Sequence, residues 1–423
     1  MFWRFQNFDQ AKIKLRVPIL LLLLFHVKLQ HGKAENDPLH DLPPILDSSD
    51  IAFFSSTYDL EGLYWALSNV FFRSERNPNA EDVKHELPQA VVSKGGGNTY
   101  TTEYKVKLDL EQAEYIAYHS ITATEDFKKY YRNVVIPTLR KLLEMIPPLD
   151  QLQKTGGLYG FREYDYNTLE IQSIYNKAFH NPEYEYSPRR IFSKEFQLKK
   201  KEIQKQWFES DQPGVLVVDN LLSTSTLSTI QTLLLENTVW YQTKMPEKFG
   251  GYVGAYIDDG LHQKILLALA FELHKALPDI MTGHDLKYLW AYKYDSDYTG
   301  INTHADQAAV NVNIWLTPDE ANLDPESGGL VIYTTKPPSD WDFDAYNMDT
   351  ERVEEDILKP TSYANVTVPY KMNRAVIFDS ALFHHTDKFN FKKGYKNRRI
   401  NLTILYGEMQ RECKDPAACA STS

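Results

Sequence analysis

The sequence predicts an α+β chain in which helices come first and a series of short strands follows, folding into a β-barrel or sandwich buttressed by helices. Two observations predict it. Up to about residue 150, apolar side chains recur at helical spacing, and from Lys287 onward short alternating segments are parted by Gly, Pro, Asn and Asp. Between these regimes, "PGVLVVDNLLSTSTLSTIQTLLLENTVW" reads as a strand, a turn and a helix.

The N-terminus has a separate logic. Arg4, Lys12, Lys14 and Arg16 precede the apolar run Val17 to Val27. That run is much shorter than the ~20 apolar residues that span a bilayer as a helix. With Gly32-Lys33-Ala34 as a small-x-small cleavage site, residues 1–34 are expected to be a signal peptide, or else a signal-anchor. The expected location is therefore the secretory pathway, either the endoplasmic reticulum lumen or outside the cell, with membrane contact only through an uncleaved anchor. Residues 35–50, rich in prolines and acids, read as a linker.

Residues 51–150 read as a mainly helical region. Thr122 and Glu125 suggest a capping box, ahead of a helix carrying Phe127, Tyr130, Tyr131, Val134, Leu139, Leu142 and Ile146. Pro137 should kink that helix and Pro147-Pro148 should end it. Gly95 to Gly97 read as a turn. Residues 151–212 form a tyrosine-rich connector whose rings could line a groove but are better explained by packing onto the next domain.

The domain at 213–410 opens with a strand at Val215 to Val218. A helix follows, capped by Ser223 or Ser225, with Leu227, Ile230, Leu233 and Leu234 on one stripe. A second helix is expected in "DGLHQKILLALAFELHKALPDI", and then strands in "KYLWAYKY", "AAVNVNIWL", "GGLVIYTT", "NVTVPY", "RAVIFDS" and "RRINLTILYG". The tail, 411–423, holds both cysteines, Cys413 and Cys419, as a small disulfide loop or as free thiols. Asn365 sits in an accessible-looking glycosylation sequon, whereas Asn401 sits in one inside a strand.

Composition bounds the function. The 423 residues are 43% hydrophobic and 13% aromatic, a globular composition, and the net charge of −11 argues against nucleic acid as a partner.

The chemistry is concentrated in "GINTHADQAAVNVNIWL". On extended backbone, residues i and i+2 face the same way, so His304 and Asp306 converge on one side. A third ligand is available downstream at His384 or His385. Two histidines and one carboxylate with open positions is the arrangement of non-haem Fe(II) oxygenases. Arg399 offers a permanently charged fork for a dicarboxylate co-substrate. Arg399, Asn401 and Thr403 share one strand face, and Asn311 and Asn313 share another, which suggests a polar cavity inside the barrel. His119, His180, His262, His274 and His284 show no metal spacing and are expected to be ordinary polar residues.

Residues 213 to 407 resemble the Fe(II)/2-oxoglutarate-dependent dioxygenases, and within them the prolyl 4-hydroxylase-like branch. The resemblance rests on "VLVVDNLLS", "YKYDSDYTGINTHAD", "SGGLVIY", "FDSALFHHTD" and "NRRINLTILYG". It implies a double-stranded β-helix, or jelly-roll, with His304, Asp306 and His384 as iron ligands and His385 as a neighbour. Arg399, preferred over Arg398, would bind 2-oxoglutarate with Tyr294 and Thr403, and Asn313 would join the wall of that pocket. Trp315 stands where the branch often has tyrosine, leaving co-substrate contacts there open.

The resemblance further implies Fe(II) and 2-oxoglutarate as cofactors, with ascorbate an accessory candidate. It implies hydroxylation of a C–H bond with release of succinate and CO2. A protein or peptide side chain such as proline is the favoured substrate; a small molecule, or a non-catalytic barrel serving as a scaffold, are the alternatives. The long acidic insertion "KPPSDWDFDAYNMDTERVEEDILKPTSYANV" is either a lid or a surface excursion.

Overall fold

The computed structural model describes residues 48–73, 100–161, 171–209, 214–244, 250–347 and 349–409. The chain divides into Met1–Pro44 and Ile45–Ser423, and every described residue belongs to the second unit. The signal segment, nearly all of the 35–50 linker, the Gly95–Gly97 turn, Cys413 and Cys419 lie outside the described residues. Among the described residues, no helix is long and apolar enough to cross a membrane.

Two antiparallel sheets frame the site. A small separate ladder pairs β1 (Tyr100–Thr101) with β2 (Tyr159–Gly160). The main strands are β3 (Val215–Val218), β4 (Gln242–Lys244), β5 (Tyr252–Tyr256), β6 (Leu286–Tyr294), β7 (Val310–Trp315), β8 (Leu330–Tyr333), β9 (Asn365–Val368), β10 (Ala375–Asp379), β11 (His384–Thr386) and β12 (Ile400–Tyr406). Seven of them form one sheet in the order β3-β10-β7-β12-β6-β5-β4, and three form another in the order β11-β8-β9. A single antiparallel bridge between His304 and His384 connects the entry to β7 with β11.

Strand periodicity decides which side chains meet the helices. On β7 and β12, Val312, Ile314, Leu402 and Ile404 enter a core shared with helices, while Asn311, Asn313, Asn401 and Thr403 turn to the opposite face. The helices are α1 (Ser48–Ser56), α2 (Leu60–Arg73), α3 (Glu103–His119), α4 (Glu125–Tyr130), α5 (Ile136–Met145), α6 (Ile171–Ile174), α7 (Lys194–Glu209), α8 (Thr224–Glu236), α9 (Lys264–Ala276) and α10 (Pro278–Met281), with α11 (Phe343–Asn347) and α12 (Thr350–Val353) in the insertion. Leu233 and Leu234 of α8, Leu266 and Leu273 of α9, and Ile51 and Leu63 from the N-terminal helices all join that core. Ser223, not Ser225, caps α8, accepting from the Thr226 amide.

The helix-facing side of β6 carries one exception. Lys293 is 1% exposed, and its ammonium donates to the carbonyl of Leu234 at 3.0 Å and to the Tyr395 hydroxyl at 2.7 Å. It lies 4.1 Å from the Trp240 ring centre. Burial pushes its pKa well below the ordinary lysine value.

The Thr122–Glu125 capping box is not formed. Thr124 caps α4 instead, because the Thr122 hydroxyl is drawn to Glu236 at the C-terminus of α8. Glu236 is fully buried and also accepts from Ser120 Oγ at 2.6 Å and the Ile121 amide at 2.8 Å, with His180 Nε2 3.5 Å away. Burial works against its charge, but bonds from His180, Ser120 and Thr122 hold its pKa down at about 2. Pro137 lies in the first turn of α5, directly after a π-helical turn at Tyr131–Val135, and α5 ends at Met145 before Pro147. In the connector, Tyr184 and Tyr186 pack against the main core, the packing role favoured from sequence.

Candidate metal centre and its cavity

His304 and His384 face each other across their bridge, exchanging amide-to-carbonyl bonds of 3.0 and 2.8 Å. Both rings therefore sit at one end of the cavity, their centres 4.2 Å apart. The Nδ1 of His304 lies 2.8 Å from the carbonyl of Asn302, and that of His384 lies 2.9 Å from the carbonyl of Leu382. A carbonyl only accepts, so each Nδ1 carries the proton and each Nε2 presents a lone pair. Those nitrogens lie 3.7 and 3.5 Å from the two oxygens of Asp306.

The donor set fits a divalent cation. One ligand atom from each of His304, Asp306 and His384 falls within 4.8 Å of the others. With bonds of about 2 Å each, donors sharing one ion sit about 3 Å apart, a small adjustment from what is seen. Burial next to His384 pushes the His304 pKa down to about 4, which favours the neutral, ligating imidazole. Burial opposes the charge of Asp306 too, yet its pKa is lowered below the usual carboxylate value, and Asn311, donating to Oδ2 at 2.6 Å, is one cause.

His385 faces elsewhere. Its Nδ1 is 2.9 Å from the carbonyl of Thr386 and its ring lies against Tyr333, while His384 rests edge-on against Phe378. Alternation along β11 separates them.

The cavity beside these donors has a volume of about 330 Å3 and is lined by all the residues singled out from sequence: His304, Asp306, Asn313, His384, Tyr294, Arg399 and Thr403. Arg399 is 2% exposed, and its Nε and Nη2 donate to the carbonyls of Gly328 and Gly329 at 2.7 and 3.1 Å. Its guanidinium lies 4.8 Å from the ring centre of Tyr294. Among the described residues it forms no ion pair, and burial lowers its pKa. A buried cation without a carboxylate partner has the charge and the donors to receive an anion. Trp315 stacks on Tyr370 and lies 6.0 Å from the guanidinium, and it is not among the residues lining the cavity.

A chain of amides joins the two ends. Arg399 Nη1 is 3.5 Å from Asn401 Oδ1; Asn401 donates to Asn313 Oδ1 at 2.9 Å, Asn313 to Asn311 Oδ1 at 3.0 Å, and Asn311 to Asp306 Oδ2 at 2.6 Å. Each amide accepts from behind and donates ahead, from the arginine to the carboxylate.

A wall of rings was missed from sequence. Tyr252 and Tyr256 of β5 pair in register with Tyr294 and Trp290 of β6. Tyr292 lies over Gly254, where a Cβ would come within 2.9 Å of its ring, and its hydroxyl is 2.9 Å from that of Tyr256. Phe343, Asn347 and Thr350 of the insertion also line the cavity. Of the other described histidines, His262 bonds Ser68 and His274 bonds Tyr58, each at 3.0 Å.

No family model matches the chain, and no curated protein matches it. Among solved structures, the epimerase SnoN in complex with Fe3+, alpha ketoglutarate and nogalamycin RO is similar over 50% of this chain and 84% of that one, at 12% identity and a TM-score of 0.38. A Pseudomonas putida prolyl-4-hydroxylase is similar over 50% of this chain and all (100%) of its own, at 13% identity and a TM-score of 0.33. HygX from Streptomyces hygroscopicus, with nickel, 2-oxoglutarate and hygromycin B bound, is similar over 48% and 86%, at 14% identity and a TM-score of 0.32. Likenesses this low leave the chemistry to the side chains of the site.

Proposed function

We propose that the chain is a 2-oxoglutarate-dependent oxygenase that holds Fe(II) on His304, Asp306 and His384 and hydroxylates a C–H bond. One observation carries this reading: the three convergent donors share a cavity with Arg399, a buried guanidinium without an ion pair among the described residues. The two sheets facing each other across that cavity would be the halves of a double-stranded β-helix. When bound, iron supplies activation of O2 coupled to decarboxylation of 2-oxoglutarate to succinate and CO2.

The chain's own residues supply binding, orientation and exclusion of water. Arg399 pairs with the distal carboxylate, its plane fixed by the glycine carbonyls and by Tyr294. The amide chain holds Asp306 and lines the space between. The rings of Tyr252, Tyr256, Trp290 and Tyr292 form the approach and keep bulk water from the metal.

The favoured substrate is a peptide side chain such as proline, whose saturated ring suits the faces of the aromatic wall. A small molecule is the second reading, favoured by the insertion residues that line the cavity beside the metal donors. Placement in the secretory pathway belongs to this proposal and rests on the basic and then apolar opening at 4–27.

The test is anaerobic titration with Fe(II) and 2-oxoglutarate, followed by admission of air. A visible charge-transfer band and then succinate are expected; absence of both the band and any succinate, even uncoupled, would overturn the reading. Succinate release with proline-containing peptides, compared with a metabolite panel, separates the two substrate classes.

A further inference from the structure

We infer that Asn347, in the insertion, is a positioning residue for the metal centre. The inference rests on the metal reading above. The amide of Asn347 clasps the residue between two of the ligands: Oδ1 accepts from the Ala305 amide at 2.9 Å, and Nδ2 donates to the Ala305 carbonyl at 2.9 Å. A side-chain amide thus pairs with Ala305 as a neighbouring strand would, at the point where His304 leaves its bridge and before Asp306 turns into the cavity.

The surroundings make this clasp rigid. Ala305 is fully buried, its side chain packed with Trp341 and Tyr346 of the insertion and with Phe383, the residue before His384. With His304 and Asp306 aimed at the metal, Ala305 points outward into that cluster. The Ala305 backbone polar groups need partners in this apolar setting, and Asn347 supplies both.

Asn347 also connects this clasp to the cavity wall. It follows Phe343 by four residues in α11, so the two lie on one face of a single turn, and both line the cavity. The part of the cavity wall at Phe343 and the clasp on the ligand triplet are therefore one turn of helix apart. Without the clasp, His304 and Asp306 keep their bonding to protein yet lose the restraint on their relative orientation.

The experiment is an anaerobic Co(II) titration of the full chain, read by the visible d–d bands, with circular dichroism on the metal-free proteins. Wild type, Asn347→Ala, Asn347→Leu and His304→Ala are compared; leucine matches the shape of asparagine and removes both bonds. The Asn347 variants should keep native circular dichroism and bind Co(II) about 10- to 100-fold more weakly, with altered bands, the range typical of groups that orient metal ligands. Folded variants that bind Co(II) within about twofold of wild type, with the same bands, would overturn the inference. If neither variant folds, Asn347 serves folding and the positioning role is also overturned. Wild type that binds no more Co(II) than His304→Ala defeats the metal reading itself, so the two failures are distinct.

Discussion

Arg398 and Arg399 are adjacent and face opposite sides of the chain. Arg398 reaches Glu111 at 2.7 Å and Asp295 at 2.9 Å, tying α3 to the residue that follows β6, whereas Arg399 lies in the cavity wall against the carbonyls of Gly328 and Gly329. Two like residues thus take different places, Arg398 in a structural junction and Arg399 in the cavity wall.

We predict that they separate by substitution. Arg399→Met should raise the KM for 2-oxoglutarate by a factor of ~30 or more, since loss of one partner from a buried charge pair costs ~2–5 kcal/mol. Arg398→Met should instead lower stability by about 3 kcal/mol with little change in that KM. Steady-state kinetics and chemical denaturation read the two effects; exchanged phenotypes would refute the assignment.

The paired histidines give a second prediction. His384→Ala should abolish tight Fe(II) binding, because its Nε2 faces Asp306 at 3.5 Å, while His385→Ala should leave binding largely intact. Equilibrium dialysis against Fe(II) under argon checks it.

Asn311 supports Asp306 without lining the cavity itself. Asn311→Leu should weaken metal binding about 10- to 100-fold by freeing the Asp306 carboxylate. The same Co(II) titration measures it, and unchanged affinity would show that the amide chain does not hold Asp306.

Glu236 makes stability depend on acid. Its folded pKa, about 2, lies below the ordinary 4.5, so its contribution is complete above pH 4.5 and falls away as pH drops through about 2. Glu236→Ala should cost ~3–5 kcal/mol at neutral pH, leaving Ser120, Thr122 and His180 without their acceptor. It should also flatten the acid limb of a stability profile measured by urea unfolding at a series of pH values.

Strands with one apolar and one polar face were legible in sequence: the alternation of "AVNVNIW" and "RINLTIL" places Asn313, Arg399 and Thr403 on the cavity side, as observed. β5 was not legible. Nearly all of "YVGAY" is buried, so hydrophobic and cavity faces cannot be told apart by polarity, and Gly254 adds no side chain to the pattern. The i, i+2 rule brought His304 and Asp306 together. Asn347, 42 residues from Ala305, carried no local signal, since a clasp onto backbone asks only for an amide at the right place. Thr122 had the right residue type for a cap but a stronger partner in Glu236.

The rung between His304 and His384 bears on the entropy of chelation. Two of the three arms are already joined by backbone bonds of 3.0 and 2.8 Å, so the loop between them is closed by folding before any ion arrives. An incoming metal has only Asp306 and a few side-chain torsions left to arrange. The amides of His304 and His384 should therefore exchange slowly with solvent even in the metal-free protein, and metal should slow them only modestly further.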